Sequence, residues 1–298
     1  KRDPVLGPES RKNAAELAGM REAHKLDGIA LAKFLAWFDT EAPKGELTEI
    51  GIVTALESFR REEESCIDAS FDTISGAGPN GAIVHYRVTT RTDRKLNPGE
   101  IMLVDSGAQY LAGTTDITRT LSTGPATPEQ KDRYTRVLKG MIAISTVRFP
   151  AGTTGAQIDI LARQFLWQDG VTYNHGTGHG VGAFLGVHEG PIGISSRYTT
   201  PLEAGNILSN EPGYYKAGEY GIRIENLITV RDAAEFPGFL EFETITLAPI
   251  DTRLIDPTLL TGDERDWLNA YHARVWTEIG PLVTGDVKNW LRQATAAI

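Results

Sequence analysis

Four carboxylates in this chain stand where an apolar run meets a turn, and between them lies a loop of histidines and glycines. Asp105 closes the run Ile101-Met102-Leu103-Val104. An acid there is poorly solvated and costs free energy unless it is paired or bound to a metal. Taken alone, it reads better as a cap on the Ser106-Gly107 turn. Asp116 follows eleven residues on, in Gly113-Thr114-Thr115-Asp116-Ile117-Thr118-Arg119-Thr120. A hairpin between the two would set the carboxylates side by side, where they repel unless a proton or a cation lies between them. Glu211 precedes Pro212-Gly213 and alone reads as a turn carboxylate. Strand alternation puts Arg223 and Glu225 on one face, with Ile222 and Ile224 on the other. The apolar continuation Leu227-Ile228-Thr229-Val230 argues that the segment is buried.

Six histidines are present: His24, His85, His175, His179, His188 and His272. His24 and His272 fall on expected helices and receive no role. His175, His179 and His188 share a stretch in which residues 176–193 hold seven glycines. Glycine lets backbone approach a site closely. Three imidazoles in such a loop, beside four acids at strand ends, point to a site. Four carboxylates with an imidazole make an oxygen-rich ligand set. That set suits a dinuclear centre of Mn²⁺, Fe²⁺, Co²⁺ or Zn²⁺, whereas structural zinc sites prefer thiolates. Two such ions, ~3.5–4 Å apart, hold and activate a bridging water.

The elements that must position these groups follow from periodicity. Leu17, Met20, Leu31, Phe34, Leu35 and Phe38 recur at helical spacing between Arg11 and about Thr40, until Pro43 and Gly45 break the pattern. A second helix carries Ile52, Leu56 and Phe59. Residues 76–81 read as a turn and Ala82–Tyr86 as a short strand. Thr127-Pro128-Glu129-Gln130 is a capping box opening a helix that runs to about Phe149-Pro150. Thr154 to Gln157 opens another, stopped by Gly170. Strands are expected over residues 101–105, 207–210, 222–230 and 240–249. The tail is helical, started at Thr261–Glu264 and ended at Gly280-Pro281. Helices and strands mix without βαβ alternation, so the class is α+β.

One echo ties the acids together. Leu96-Asn97-Pro98-Gly99-Glu100-Ile101 precedes Asp105, and Leu202-Glu203-Ala204-Gly205-Asn206-Ile207 precedes Glu211. In both, the carboxylate lies six residues after the glycine, and a second acid follows, Asp116 or Glu225. The pattern reads as a duplicated turn-strand unit ending in an acid.

Composition narrows the classes. The 298 residues fit one large domain or two ordinary ones, and 41% hydrophobic with 23% charged is a globular balance. The net charge of −9, with acids scattered, lacks the basic footprint of a nucleic-acid binder. A single cysteine, Cys66, allows no intrachain disulfide and suits a reducing, cytoplasmic setting. No apolar stretch approaches the ~20 residues of a membrane span. The start, Lys1 to Ser10, is polar and does not read as a signal peptide. It lacks an initiator methionine, so the chain is read as a piece of a longer protein.

These motifs together resemble the pita-bread metallopeptidases, most closely the long, three-domain Xaa-Pro aminopeptidases. The matching segments are Gly78–Tyr86, Val104–Tyr110, Gly113–Thr120, His175–Gly182, Val187–Pro191, Asn210–Tyr215 and Gly221–Asn226, in the family's order; the tail Asp266–His272 is similar too. The resemblance implies a pita-bread fold with internal pseudo-twofold symmetry. It implies a catalytic domain over residues 1–250 and a helical extension over 251–298 packed on it, with the family's N-terminal domains absent. It implies two divalent ions, Mn²⁺ foremost, on Asp105, Asp116, His179, Glu211 and Glu225. His85, His175, His188 and Arg223 match substrate-side positions. The implied reaction is hydrolysis of the N-terminal Xaa-Pro bond by a bridging hydroxide. Glu211 would shuttle the proton, His188 would donate to the oxyanion and His85 would orient the scissile amide. Peptides with proline in second position are the implied partners, and a homodimer the implied assembly. Two rivals stay open: a prolidase-type dipeptidase of the same fold, and a non-catalytic binding module that keeps the fold.

Overall fold

A computed structural model of the chain describes residues 4–298; the first three residues of the polar start lie outside it. Short helix α1 (Leu6–Ser10) leads into the 28-residue α2 (Ala14–Glu41) and then α3 (Glu49–Arg60). Strands β1 (Cys66–Ala69), β2 (Ile74–Ala77), β3 (Ile101–Ser106), β4 (Ala108–Tyr110), β5 (Gly113–Thr114) and β6 (Ile117–Ser122) follow. Next come α4 (Pro128–Thr146), β7 (Arg148–Pro150) and α5 (Gly155–Trp167). Strands β8 (Gly178–Gly180), β9 (Glu189–Ile194), β10 (Ile207–Asn210), β11 (Gly213–Lys216), β12 (Tyr220–Arg223), β13 (Asn226–Asp232) and β14 (Phe239–Thr244) complete the sheets. Helices α6 (Gly262–Ile279) and α7 (Gly285–Ala294) end the chain.

Two long helices start by the same device. The Asn13 side chain accepts from the Glu16 N–H while the Glu16 carboxylate accepts from the Asn13 N–H. Thr127 and Gln130 repeat the exchange at α4. Each box satisfies helix N–H groups that have no intrahelical partner. Phe34, Phe38, Ile52 and Leu56 of α2 and α3 close over Met102, Val104 and Leu121 of the sheet β2-β3-β6. Cutting Phe38 to alanine there is expected to cost about 3–5 kcal/mol. Ile144, Ile158 and Ala162 of α4 and α5 cover Leu208, Ile228 and Phe242 of the larger sheet β7-β14-β13-β10-β8-β9. α4 and α5 cross closely because Gly140 has no side chain: a Cβ there would lie 2.3 Å from the Ala162 carbonyl oxygen. The tail helices enter a third buried cluster, where Leu268, Tyr271, Val275 and Leu291 meet Tyr134, Leu138 and Met141 of α4.

The mixed helix and strand content is α+β as expected, and four expected boundaries move. Residues 82–86 are not a strand. A 3₁₀ turn over Gly78–Ala82 runs into bends, because Asn80 and Tyr86 bond to the buried Glu49 carboxylate instead of to a neighbouring strand. The run 222–230 is two strands, broken at Ile224-Glu225. α4 ends at Thr146, and Arg148–Pro150 joins β14 as an edge strand. The last strand stops at Thr244 rather than continuing to Pro249. Among the described residues, no helix is long and apolar enough to cross a membrane.

Candidate metal centre

Asp105 ends up opposite Thr118 in the antiparallel pair β3–β6, and Asp116 lies just before β6 begins. Glu211 follows β10 and Glu225 precedes β13, each one residue outside the paired segment. His179 is the middle residue of β8, the strand beside β10. These strand ends meet in one cleft of about 1330 Å³. All nine residues singled out from the sequence line or border it: Asp105, Asp116, His179, Glu211, Glu225, His85, His175, His188 and Arg223.

The distances are those of a packed cluster. His179 Nε2 lies 3.5 Å from Asp116 Oδ2 and 3.4 Å from Glu211 Oε1. Single donor atoms of Asp116, His179 and Glu225 fall within 4.8 Å of one another. Arg223, 2% exposed, donates to Asp105 Oδ2 at 2.6 Å and stands 4.0 Å from Glu211. The other oxygen of Asp105, Oδ1, is buried with no hydrogen-bond partner.

Protonation follows from the crowding. Burial pushes Glu225 well above the ordinary carboxylate range, and the charges of Asp116, Glu211 and Asp105 add to it. Burial likewise lifts Glu211 to about 7, with His179 and Arg223 pulling the other way. Asp116 rises to about 6, by burial first. Burial alone would lower His179, but its hydrogen bond to Asp116 and the charge of Glu211 raise it to about 9. His175 falls to about 3 through burial and the charge of Arg223. Its Nδ1 faces the Gly176 carbonyl at 2.7 Å and must carry the proton, so Nε2 accepts from Tyr215 OH at 2.8 Å. Tyr215 OH in turn accepts from Arg223 at 2.7 Å.

Four carboxylates crowd around Arg223 and His179, and the raised pKa values of Glu225, Glu211 and Asp116 mark the cost of ionising them together in a buried cleft. Divalent cations between them would replace repulsion by attraction and would fill the open lone pairs of Asp105 Oδ1. The donor set, all oxygens and one imidazole, fits Mn²⁺, Zn²⁺, Co²⁺ or Fe²⁺.

His175, His188 and His85 sit around this centre rather than in it. The His188 ring packs 4.1 Å from the His179 ring, centroid to centroid, and is held below its usual pKa by burial and by His179. His85 is exposed on the far lip. His24 and His272 are buried in α2 and α6, away from the cleft.

Several supporting side chains escaped the reading of the sequence. The Thr118 hydroxyl accepts from Arg223 Nε at 3.2 Å and donates to Glu225 Oε2 at 2.7 Å. Ser209 accepts from the His179 N–H and donates to Glu211 Oε1, both at 3.0 Å. Both lie two residues from an acid, on its strand face, so the period-two rule marks them. Asp159 of α5 accepts from Thr177 between the histidines, and Arg163 donates to the carbonyls of Tyr173 and His175. Lys12, buried with Glu189, ties the N-terminal segment to the residue after His188.

Comparison with known proteins gives this arrangement a family. The model of metallopeptidase family M24 matches residues 18–232, and that of the C-terminal region of peptidase M24 matches residues 238–298. A probable Xaa-Pro aminopeptidase P of Paracoccidioides brasiliensis is 47% identical over 309 aligned positions, covering 100% of this chain and 50% of the relative. Aminopeptidase P2 of Arabidopsis thaliana is 48% identical, covering 97% of this chain and 42% of the relative. The crystal structure of X-prolyl aminopeptidase from Caenorhabditis elegans, described as a cytosolic enzyme with a di-nuclear active site, superposes with a TM-score of 0.96 at 40% identity. It aligns over 99% of this chain and 50% of its own. The Xaa-Pro dipeptidase from Bacillus anthracis superposes at 0.72 with 29% identity, over 83% of this chain and 64% of its own. The chain thus spans about half the length of the curated relatives it matches.

Proposed function

The chain belongs to metallopeptidase family M24, and on that premise we propose that it hydrolyses the bond between the N-terminal residue and a proline in second position. The observation that carries this is the convergence of four carboxylates and one imidazole in a single buried cleft, with one arginine paired to Asp105. Asp105, Asp116, His179, Glu211 and Glu225 would hold two divalent ions, manganese by preference. With both bound, the centre would supply a bridging hydroxide as nucleophile and a Lewis acid for the scissile carbonyl.

The remaining work falls to the chain. Glu211, hydrogen-bonded by Ser209 and lifted to about 7 by burial, takes the proton of the attacking water and passes it to the proline nitrogen. His188, its pKa held down by partial burial and by His179, donates its N–H to the oxygen on which charge develops. His85 orients the scissile amide from the opposite lip. Arg223 holds Asp105 and, through Tyr215, His175. A tertiary proline amide has no N–H, so the site needs no acceptor for it.

The open wall of the cleft favours longer peptides over dipeptides. Ala156, Asp159, Ile160, Arg163 and Trp167 form one face of α5, and all turn into the cleft beyond His175. A dipeptidase must instead recognise a carboxylate beside the proline. We read residues 1–250 as the catalytic domain and 251–298 as an extension of it. We read the protein as cytoplasmic, as the nematode relative is described, and as a homodimer. The test is cleavage of Xaa-Pro peptides of two lengths after chelation and return of Mn²⁺. Metal-dependent cleavage of the longer peptide is expected. Cleavage of the dipeptide alone would move the reading to prolidase, and two bound ions without any cleavage would leave a binding module. Glu211→Gln should retain metal and lose turnover; full turnover would sink the proton shuttle.

A further inference from the structure

Behind the cleft lies a buried cation with no anionic partner. Arg119 is 3% exposed, and among the described residues no carboxylate lies within ion-pair distance of it. All its N–H groups are nonetheless bonded. Nε donates to the Pro249 carbonyl at 2.9 Å. Nη1 donates to the carbonyls of Thr118 at 3.0 Å and Glu225 at 2.6 Å. Nη2 serves Asn226 Oδ1 at 2.9 Å, the Ala248 carbonyl at 2.8 Å and Tyr271 OH at 3.1 Å. Burying a charge without a counter-ion is expensive, so its retention needs a reason that a neutral residue cannot supply.

The reason is the break at Ile224-Glu225. β12 has ended and β13 has not begun, so Glu225 lies outside both ladders. Its N–H donates to the Thr118 carbonyl at 3.1 Å, and its side chain is held by the Thr118 hydroxyl. Its carbonyl would be orphaned, and Arg119 satisfies it. The flat guanidinium fork is the one side chain with enough donors to join four chain segments in this way. The fourth segment is α6: Tyr271 stacks on Trp267 at 5.4 Å with rings 4° from parallel, and its hydroxyl also donates to the Ala248 carbonyl.

We infer that Arg119 is a positioning residue for Glu225, and that Tyr271 of the C-terminal helices takes part in the metal centre through it. The inference rests on Glu225 being a metal ligand. The experiment is metal affinity and stoichiometry of the whole chain, by competition with a chelator using Mn²⁺ alone, beside the melting temperature of the metal-free protein. Arg119→Lys keeps the charge and loses the fork; affinity is expected to fall about 10–100-fold, as for outer partners of metal ligands. Tyr271→Phe keeps the stack and loses the hydroxyl that bonds Arg119 and Ala248; a fall of about 3–10-fold is expected. Saturating Mn²⁺ should restore two ions per chain in both. Leu268→Ala loosens α6 without touching the fork and should lower the melting temperature while affinity stays within twofold of the parent. The inference is overturned if the two fork variants keep parental affinity, or if Leu268→Ala loses as much as they do. Should the parent chain bind no divalent ion, the ligand reading fails first. Should Glu225→Gln weaken binding while both fork variants do not, only the present inference fails.

Discussion

The two halves of the molecule are built alike and equipped differently. In one, α2 and α3 cover the strands β2-β3-β6; in the other, α4 and α5 cover the sheet that holds β8, β10 and β13. Asp105 and Glu211 stand at matching ends of β3 and β10. Three residues before Asp105, Met102 faces Ala77; three before Glu211, Leu208 faces Gly180. The residues preceding these partners therefore correspond, and they are Gly76 and His179. One half offers an imidazole where the other offers nothing. The structure shows why nothing fits: a Cβ on Gly76 would lie 2.7 Å from the Gly81 Cα. The turn that leads to His85 occupies the space that His179 fills in the second half. A duplicated scaffold thus yields an asymmetric site, with ligands weighted to one side and the exposed His85 on the other.

The sharpest way to break this comparison is to remove the imidazole. His179→Ala leaves the second half with carboxylates alone, as in the first. The metal content should fall from two ions towards one, and Xaa-Pro cleavage should drop by more than about 100-fold, beyond the range of an outer-shell loss. Metal analysis of the purified variant decides it. Two ions retained at parental affinity would mean that the imidazole is not a ligand.

A second asymmetry lies in the C-terminal helices, which Tyr271 joins to Arg119 of β6. His272, fully buried there, accepts the Ile250 N–H on Nε2 at 3.0 Å. Burial first, then the charge of Arg119, lower its pKa to about 4. A histidine whose folded pKa is depressed contributes stability above its unfolded value of about 6.5. That contribution is lost as pH falls from about 6.5 towards 4. The full shift corresponds to about 3 kcal/mol. The stability of the metal-free protein to denaturant should fall as pH drops across that window. His272→Gln, which offers an acceptor without titrating, should flatten the dependence. An unchanged slope in the variant would assign the acid limb to other groups.

The sequence carried the acids and their pairing better than it carried their supports. The offset from Gly99 to Asp105 repeats from Gly205 to Glu211 because the turn and strand repeat, and that geometry is local. The segment 82–86 misled because its alternation of apolar residues resembles a strand. The Tyr86 hydroxyl bonds instead to Glu49, more than thirty residues earlier, and the backbone closes local turns from Ile83 to Asn80 and from Tyr86 to Ile83. Glu225 reads as mid-strand, because nothing in Ile222–Val230 marks a break. The break exists only because Thr118 and Arg119, from the other half, take over the bonds of residue 225. The exclusion of a side chain at Gly76 is likewise invisible without Gly81 beside it. Local periodicity shows through in a sequence; partners drawn from distant segments do not.

Filling the glycine tests the asymmetry from the other side. Gly76→Ala forces backbone atoms of Asn80 and Gly81 to shift, since all three nearest atoms are main chain. Overpacking of this kind costs about 1–3 kcal/mol. The displaced turn carries His85, so KM for Xaa-Pro peptides should rise while two ions still bind. A thermal shift with unchanged KM would mean that the turn relaxes without moving His85.

The smallest effect probes what the halves still share. Asn13 and Thr127 cap the two long helices with the same reciprocal pair of bonds, to Glu16 and Gln130. Asn13→Ala and Thr127→Ala should each cost about 1 kcal/mol in denaturant unfolding. The caps start different helices and share no partner, so the double variant should lose the sum within about 0.5 kcal/mol. The exposed Asn13 box sits near the chain start, where α1 and Lys12 tie the segment to Gly205 and Glu189. If that tether holds the helix end by itself, Asn13→Ala will cost less than Thr127→Ala. Equal costs would instead show that each half depends on its own helix cap to the same degree, whatever its ligands.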